Sequence, residues 1–463
     1  MKLLTSALSI ALCVMSASAA NATDLLQAWE AAQKHDPEFA AAEANFEAGA
    51  THRDQSEGMW LPSVSLTAGA GIQNSSTDTA GAHFSAPGFT ATNGVAFDTS
   101  IRNGNMEQYA LVARQPLLNR SLLSQSRQLG LSADMAEIEW QAARQQLAMR
   151  VAERYFDVLV AAETLRLLTQ QKTAVEFELN QAQDSFKVGS IPVTDTYEAL
   201  ARFKNIEAQI MAANMDLQLK QSMFADLTGM GANDLLTLPV ADASTSTTLA
   251  PIDSCIHAAA QSNPTLLIQE KKLAVAKEEA EKYRALSAPS VDLVAQLGYD
   301  KLHGNGDYGN AENLANNRMI GIQLTIPLFT GGIRSAKYSE SVHLIDKTRS
   351  DSELLRQQIA QQVRTAWLGI TVGESRVSAL VQAHKASLAR LDATRLGHSE
   401  GDRTTLDLLN AENDTTNAGL AVLQAKINVA MNRLKLAQLQ GSLDEAALRL
   451  ISNSTFSPTA TNQ

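Results

Sequence analysis

"EGDRTTLDLLNAE", residues 400–412, has a counterpart far upstream in "VGSIPVTDTYEAL", residues 188–200. Gly189, Asp195 and Ala199 fall on Gly401, Asp407 and Ala411 at one constant spacing. A glycine closing one helix, with Pro or Thr opening the next, is the punctuation of a helical hairpin. Working back from the first turn, Ser124 to Lys187 has no Pro and a single Gly, Gly130. Its apolar residues Leu147, Val151, Tyr155, Val158, Ala162 and Leu165 keep helical spacing. Residues 335–399 behave alike through Leu355, Ile359, Val363, Trp367 and Ile370, with Gly369, Gly373 and Gly397 as weak interruptions. At 1.5 Å per residue each predicted helix is roughly 90–100 Å long, several times the usual length. A second helix of about half that length follows each turn, over 193–228 and 404–439.

The duplication extends beyond the turns. "AWEAAQKHDPEF" (28–39) matches "CIHAAAQSNPTL" (255–266), and "LPSVSLTAGAGI" (61–72) matches "APSVDLVAQLGY" (288–299). "QPLLNRSLLS" (115–124) matches "IPLFTGGIRS" (326–335), and "LAMRVAERYFDV" (147–158) lies over "IAQQVRTAWLGI" (359–370). The spacing changes between Pro62 and Pro116, where the first copy is longer, so that interval is expected to hold a loop of variable length. The boundaries predicted are a signal over 1–22, a first repeat over 23–228 and a linker over 229–250. A second repeat over 251–441 and a polar C-terminal tail over 442–463 complete the chain.

Each copy also holds two stretches alternating with period two. Val64, Leu66, Ala68, Ala70 and Ile72 share one face, as do Tyr109, Leu111 and Ala113. Val291, Leu293, Ala295, Leu297 and Tyr299 form a third such face, and Ile320, Ile322, Leu324 and Ile326 a fourth. About 9–11 residues is the length of a tilted membrane-crossing strand. Residues 73–105 and 300–318, rich in Gly, Asn, Ser and Asp, are expected to be exposed loops. Four strands cannot sit in lipid with free edges, because unpaired backbone groups there cost several kcal/mol each. Spanning strands therefore require two, three or four chains, giving eight, twelve or sixteen strands.

"MKLLTSALSIALCVMSASAANA" places Lys2 before an apolar run and small residues, the layout of a cleaved secretory signal. The run is shorter than the roughly 20 apolar residues of a spanning helix. Cys13 lies inside it behind the bulky Leu12, which disfavours an acylated N-terminus and leaves Cys255 alone. A net charge of −11 disfavours nucleic acid as a partner. No HExxH, phosphate-cradling Gly loop or CxxC is present, so an enzyme or a cofactor is not expected. His398, Glu400 and Asp402 alternate along a loop, a spacing looser than zinc ligands usually show. A periplasmic coiled-coil adaptor without a pore is the alternative to a channel.

The chain resembles the TolC family of outer-membrane channel proteins across essentially its whole mature length. The resemblance rests on "AAQKHDP" and "AAAQSNP", on "LPSVSL" and "APSVDL", on "IPLFTGG" (326–332) and above all on "GDRTTLDLLNAEN" (401–413). It implies an α+β membrane protein, a homotrimer whose twelve-stranded outer-membrane barrel continues as a helical tunnel through the periplasm. It further implies docking on a periplasmic adaptor and an inner-membrane ABC or proton-driven transporter, with export of proteins or small toxic compounds. The hairpin turns would form the periplasmic tip, closed at rest. Asp407, Asn410 and Asp414 would line the constriction, with Asn410 standing where the family carries a second acid. Arg403 matches a family gate arginine, with Asp195 as its partner, and His398 stands where the family often has Tyr. Val188, Gly189, Ser190, Gly401 and Asp402 would form the docking turns, Glu400 replacing the Val of the second one.

Overall fold

The computed structural model describes residues 24–231 and 249–455, with side chains to 450. The signal expected over 1–22 and most of the expected linker lie outside the described residues. Helices α1 (Leu25–His35) and α2 (Pro37–Gly58) precede strands β1 (Ser63–Phe84) and β2 (Thr92–Leu118), then α3 (Arg120–Lys187) and α4 (Val193–Thr228). The second copy repeats this order with α5 (Ile252–Ser262), α6 (Pro264–Ala285), β3 (Ser290–Gly306), β4 (Gly309–Thr325), α7 (Ile333–Ser399) and α8 (Thr405–Leu439). Element lengths repeat as well: 11 and 11 residues for α1 and α5, 22 and 22 for α2 and α6, 68 and 67 for α3 and α7.

The recurring Asp-Pro and Asn-Pro dipeptides have a local cause. Asp36 ends α1 in an extended conformation, and its Oδ2 accepts from the Phe39 amide at 3.1 Å, opening α2. Asn263 does the same between α5 and α6, its Oδ1 accepting from Thr265 and Leu266 at 3.0 and 3.2 Å. Proline then occupies the first helical position, where its missing N–H costs nothing.

The chain divides into two compact units. Among the described residues, the first comprises 24–46, 138–231, 249–268 and 352–455. Its larger core gathers Leu25, Trp29, Leu147, Val151, Tyr155, Phe224 and Leu434, and a second cluster joins Cys255, Ile359, Val363 and Ile370 to Leu436 and Leu439. The matched helix positions therefore face apolar cores in both copies, and burial of such side chains is worth about 1.5–3 kcal/mol each. The expected tail holds a helix, α9 (Glu445–Thr455), rather than a plain polar segment. Asp444 caps it by accepting from the Ala447 amide at 2.9 Å, and Leu448 is fully buried in the larger core.

The second unit, residues 47–137 and 269–351, carries one antiparallel sheet in the order β1-β2-β3-β4. Leu66 pairs with Leu111, and Leu111 with Leu297; Ala113 pairs with Ala295, and Ala295 with Ile320. The four apolar faces thus merge into one band, and it is exposed: Leu66, Ile72, Ile320 and Ile322 are all at least 70% accessible. Ser65, Thr67, Gln108 and Gln296 alternate onto the opposite face. Among the described residues, both outer edges of the sheet, along β1 and β4, have no partner strand.

The segments expected as loops are mostly strand. β1 and β2 run 22 and 27 residues, and β3 and β4 run 17 each. Polar residues of 73–105 pair with one another, Thr77 with Thr99 and Asp78 with Asp98, so strand propensity and cross-strand bonding outweigh their polarity. The extra length of the first copy is taken up as a taller hairpin.

Candidate functional site

The two long hairpins turn by the same backbone device. Gly189 donates to the Phe186 carbonyl at 2.9 Å, and Ser190 donates to the Ser185 carbonyl at 2.9 Å. At the second turn Gly401 donates to His398 at 3.1 Å, and Asp402 to Gly397 at 2.8 Å. Both glycines are left-handed, with φ of 77° and 83°, and an added Cβ would meet no atom at either. Conformation, not space, requires them. Val188, Gly189, Ser190, Gly401 and Asp402 are all exposed, Val188 at 78%.

The helices leaving the turns start differently. Thr404 caps α8 in a reciprocal box: its Oγ1 accepts from the Asp407 amide at 3.1 Å, and Asp407 Oδ2 accepts from the Thr404 amide at 3.1 Å. The Thr404 amide, followed by its hydroxyl, holds the Asp407 carboxyl below its ordinary value, with Arg403 assisting. Pro192 occupies the matching place before α4 and makes no side-chain cap. Asp195, matched to Asp407, accepts instead from the Thr194 hydroxyl at 3.2 Å.

The predicted residues are brought together only in part. Asp407 and Asn410 are exposed, one turn apart on α8. Asp414 is bound to Arg390 of α7. His398 Nε2 lies 3.2 Å from Thr405 Oγ1. Among the described residues no ion pair joins Asp195 to Arg403 within the chain; Arg403 acts on Asp407 instead.

Sequence reasoning missed a buried charged cluster behind the turns. Glu412 of α8 is only 6% exposed, and its Oε1 accepts from Arg395 of α7 at 3.1 Å. Burial raises the Glu412 carboxyl, and Arg395 opposes the shift. Glu178 of α3, 8% exposed, is likewise raised by burial; His398 and Arg395 pull it down while Glu412 pushes it up. Each of these glutamates leaves its Oε2 without a hydrogen-bond partner. Arg202 of α4 stands at the repeat position of Asp414, and Glu178 at that of Arg390, so the paired charges of the second hairpin appear reversed in the first. No ion pair between Glu178 and Arg202 forms among the described residues, and Arg202 keeps two buried nitrogens unpartnered. No local motif announces such a cluster, because its members come from separate helices.

A duplicated hairpin pair and a sheet with one exposed apolar face, in a single chain, are matched by the family described as outer membrane efflux protein over residues 28–229 and 255–442. The chain belongs to that family. Those two matched segments follow the two structural copies. Among curated relatives, outer membrane protein TolC of Vibrio cholerae is 27% identical over 448 residues, covering 96% of each chain. TolC of Escherichia coli is 24% identical, covering 96% of this chain and 87% of its own. The alkaline protease secretion protein AprF of Pseudomonas aeruginosa is 27% identical, covering 93% and 87%. Of solved structures, the outer membrane protein VceC of Vibrio cholerae superposes with a TM-score of 0.69 at 16% identity, covering 91% of this chain and 97% of that one. These likenesses give this outer membrane efflux protein the fold of that group.

Proposed function

We infer that the protein is an outer-membrane exit duct, reaching into the periplasm and serving type I secretion and efflux within a tripartite export system. The observation that carries this reading is the sheet: an exposed apolar band bounded by two unpaired edges has no stable place in water or in lipid as a single chain. Three copies closing β1 against β4 would give a twelve-stranded barrel, wide enough for a channel. The poreless adaptor finds no support among the relatives described above.

The six turns of the trimer would form the periplasmic tip. There Val188, Gly189, Ser190, Gly401 and Asp402 would meet the periplasmic adaptor, and an inner-membrane transporter would complete the assembly. Asp407 and Asn410 would face the pore, one full acidic ring beside an uncharged one. Asp195 and Arg403 would be linked between copies, Arg403 of one against Asp195 of the next. Single-channel conductance in planar bilayers tests this for the wild type and an Asp195→Ala/Arg403→Ala variant. A small cation-selective conductance that rises in the variant is expected. Absence of conductance from folded wild-type protein would overturn the duct, and equal conductance in both would overturn the gate.

A further inference from the structure

The outer end of the sheet does not continue straight. Against β1, Gln73 pairs with Gly104 but Ser75 with Ile101; against β3, His303 pairs with Asn105 but Asn305 with Arg102. In both ladders β2 advances three residues where its neighbour advances two, so one bulge over 101–105 interrupts both sides of the strand at one height. Asn103 within it has a φ of 51°, a left-handed conformation that Asn tolerates, and its amide donates to Asn74 Oδ1 at 2.6 Å.

Three glycines show to which side the strand bends. β3 keeps an unbroken register with β4 from Ser290 to Gly306, so Leu302, Gly304 and Gly306 lie on the face opposite Leu293, Leu297 and Tyr299 of the apolar band. A Cβ on Gly304 would lie 2.5 Å from Gly104 Cα and 2.9 Å from the Arg102 carbonyl, and one on Gly306 would lie 3.3 Å from the Ser100 carbonyl. Over Gly104 the Leu302 and Ile101 side chains close in, at 2.7 and 3.0 Å from a Cβ built there, and they are only 8% and 6% exposed. The backbone of β2 therefore crosses the face away from the band, and the ribbon beyond the bulge leans to that side.

This ribbon carries exposed aromatic rings: Phe84 at 45%, Phe97 at 44% and Phe89 at 74%. Phe89 is set at the tip by a turn over 86–89, its amide donating to the Ala86 carbonyl at 3.1 Å. A lone two-stranded ribbon is marginal, and aromatic rings are the side chains with most area to bury. From Ser75 to Phe84 the ribbon spans about 30 Å at strand rise. A barrel of twelve tilted strands has a radius of about 12 Å, so a ribbon leaning inward reaches the axis, where two symmetric ribbons arrive with it.

Resting on the trimeric duct, we propose that the β1–β2 ribbon is a lid over the outer mouth of the barrel, bent at the Asn74–Asn103 bulge, with Phe84, Phe89 and Phe97 meeting the same rings of the two other copies. In that barrel the band faces lipid, so the face toward which the ribbon leans is the lumenal one. An apolar constriction blocks water and ions. Cargo driven outward would part three ribbons joined only by their tips.

The test uses the full-length protein in nanodiscs that hold one trimer, with Phe89→Cys and Ile72→Cys as separate variants and the parent protein as blank; Cys255 is buried. Mass measurement comes first: absence of a trimer would overturn the duct and the lid with it, whereas a trimer leaves the lid to be judged alone. A short bismaleimide should join Phe89→Cys chains within the trimer and leave Ile72→Cys, on the lipid-facing band, as single chains. Adding Gly304→Ala, whose methyl would collide with the β2 backbone, should remove most of the joined species while the trimer persists. Cross-linking of Phe89→Cys no greater than that of Ile72→Cys would overturn the lid. Passage is the second readout. A bulky maleimide should label Gln296→Cys, on the lumenal face, slowly, and a Phe84→Ser/Phe89→Ser/Phe97→Ser variant should speed that labelling. Equal labelling rates would overturn the lid even where the tips cross-link.

Discussion

The α3–α4 and α7–α8 turns close with the same pair of backbone hydrogen bonds, yet the helices they launch are anchored differently. The first starts from an uncapped Pro192, and Leu200, matched to Glu412, is exposed. The second starts from a Thr404–Asp407 box and buries Glu412 against Arg395. Duplication has kept the geometry of the bend and changed the chemistry just past it. In the second hairpin Asp407, Glu412 and Asp414 each have a bonded partner, whereas in the first Arg202 keeps two buried nitrogens unpartnered at the place matching Asp414.

The largest expected effect separates the hairpins most sharply. Arg395→Ala leaves Glu412 buried and unpaired and should cost about 2–3 kcal/mol. The matched Gln183→Ala should stay within about 0.5 kcal/mol, as surface changes usually do. Thermal unfolding in detergent compares the two, and equal shifts would erase the distinction. Gly189→Val and Gly401→Val should each cost about 1–2 kcal/mol, because both positions are left-handed. Here equality is the expectation, and a clear inequality in unfolding midpoints would show that the closures differ.

A smaller effect concerns the caps. Thr404→Ala should cost about 1 kcal/mol, and Pro192→Ala, which removes no side-chain bond, should cost less than half of that. Circular dichroism melts of both variants would decide. The smallest effect is in the pH dependence. Glu178 and Glu412 have carboxyls raised on folding, so the folded chain binds their protons first, and their contribution to stability grows as pH falls from neutrality through those raised values. Asp407 is lowered on folding, so its contribution is present above its ordinary value and is lost as pH falls through the lowered one. Glu412→Gln should therefore flatten the gain between neutrality and mildly acid pH while leaving the more acid loss in place. A melting series across pH that is identical for wild type and variant would contradict this.

Long helices and their turns were legible because their signals are local: absence of Pro, a 3–4 apolar spacing, and Gly at the bend. The band face of the sheet was legible for the same reason, through strict alternation from Val64 to Ile72. Strand length was not, since Asn74, Ser75 and Gly94 carry turn-like composition while register with the partner strand decides their state. The buried cluster was illegible on another ground. Glu178, Arg395 and Glu412 are separated by long stretches of sequence, and only helix packing tells a buried glutamate from a solvated one. Asp407 lay between these cases: its position was marked by the repeat, but its engagement in a cap also fits an ordinary helix start.

The unequal strand heights carry a consequence of their own. β3 meets β2 no farther out than Arg102, so the outer part of the β1–β2 hairpin, with its turn over residues 85–91, has no third strand beside it. The β3–β4 turn, by contrast, is fastened to β2 by Asp307, which accepts from Ser100 and Arg102 at 2.8 and 2.7 Å. A two-stranded ribbon standing alone is marginally stable, and tips of this kind are where proteases nick and inserted peptides are tolerated. The taller hairpin is thus the natural address for an epitope tag or a cleavage site.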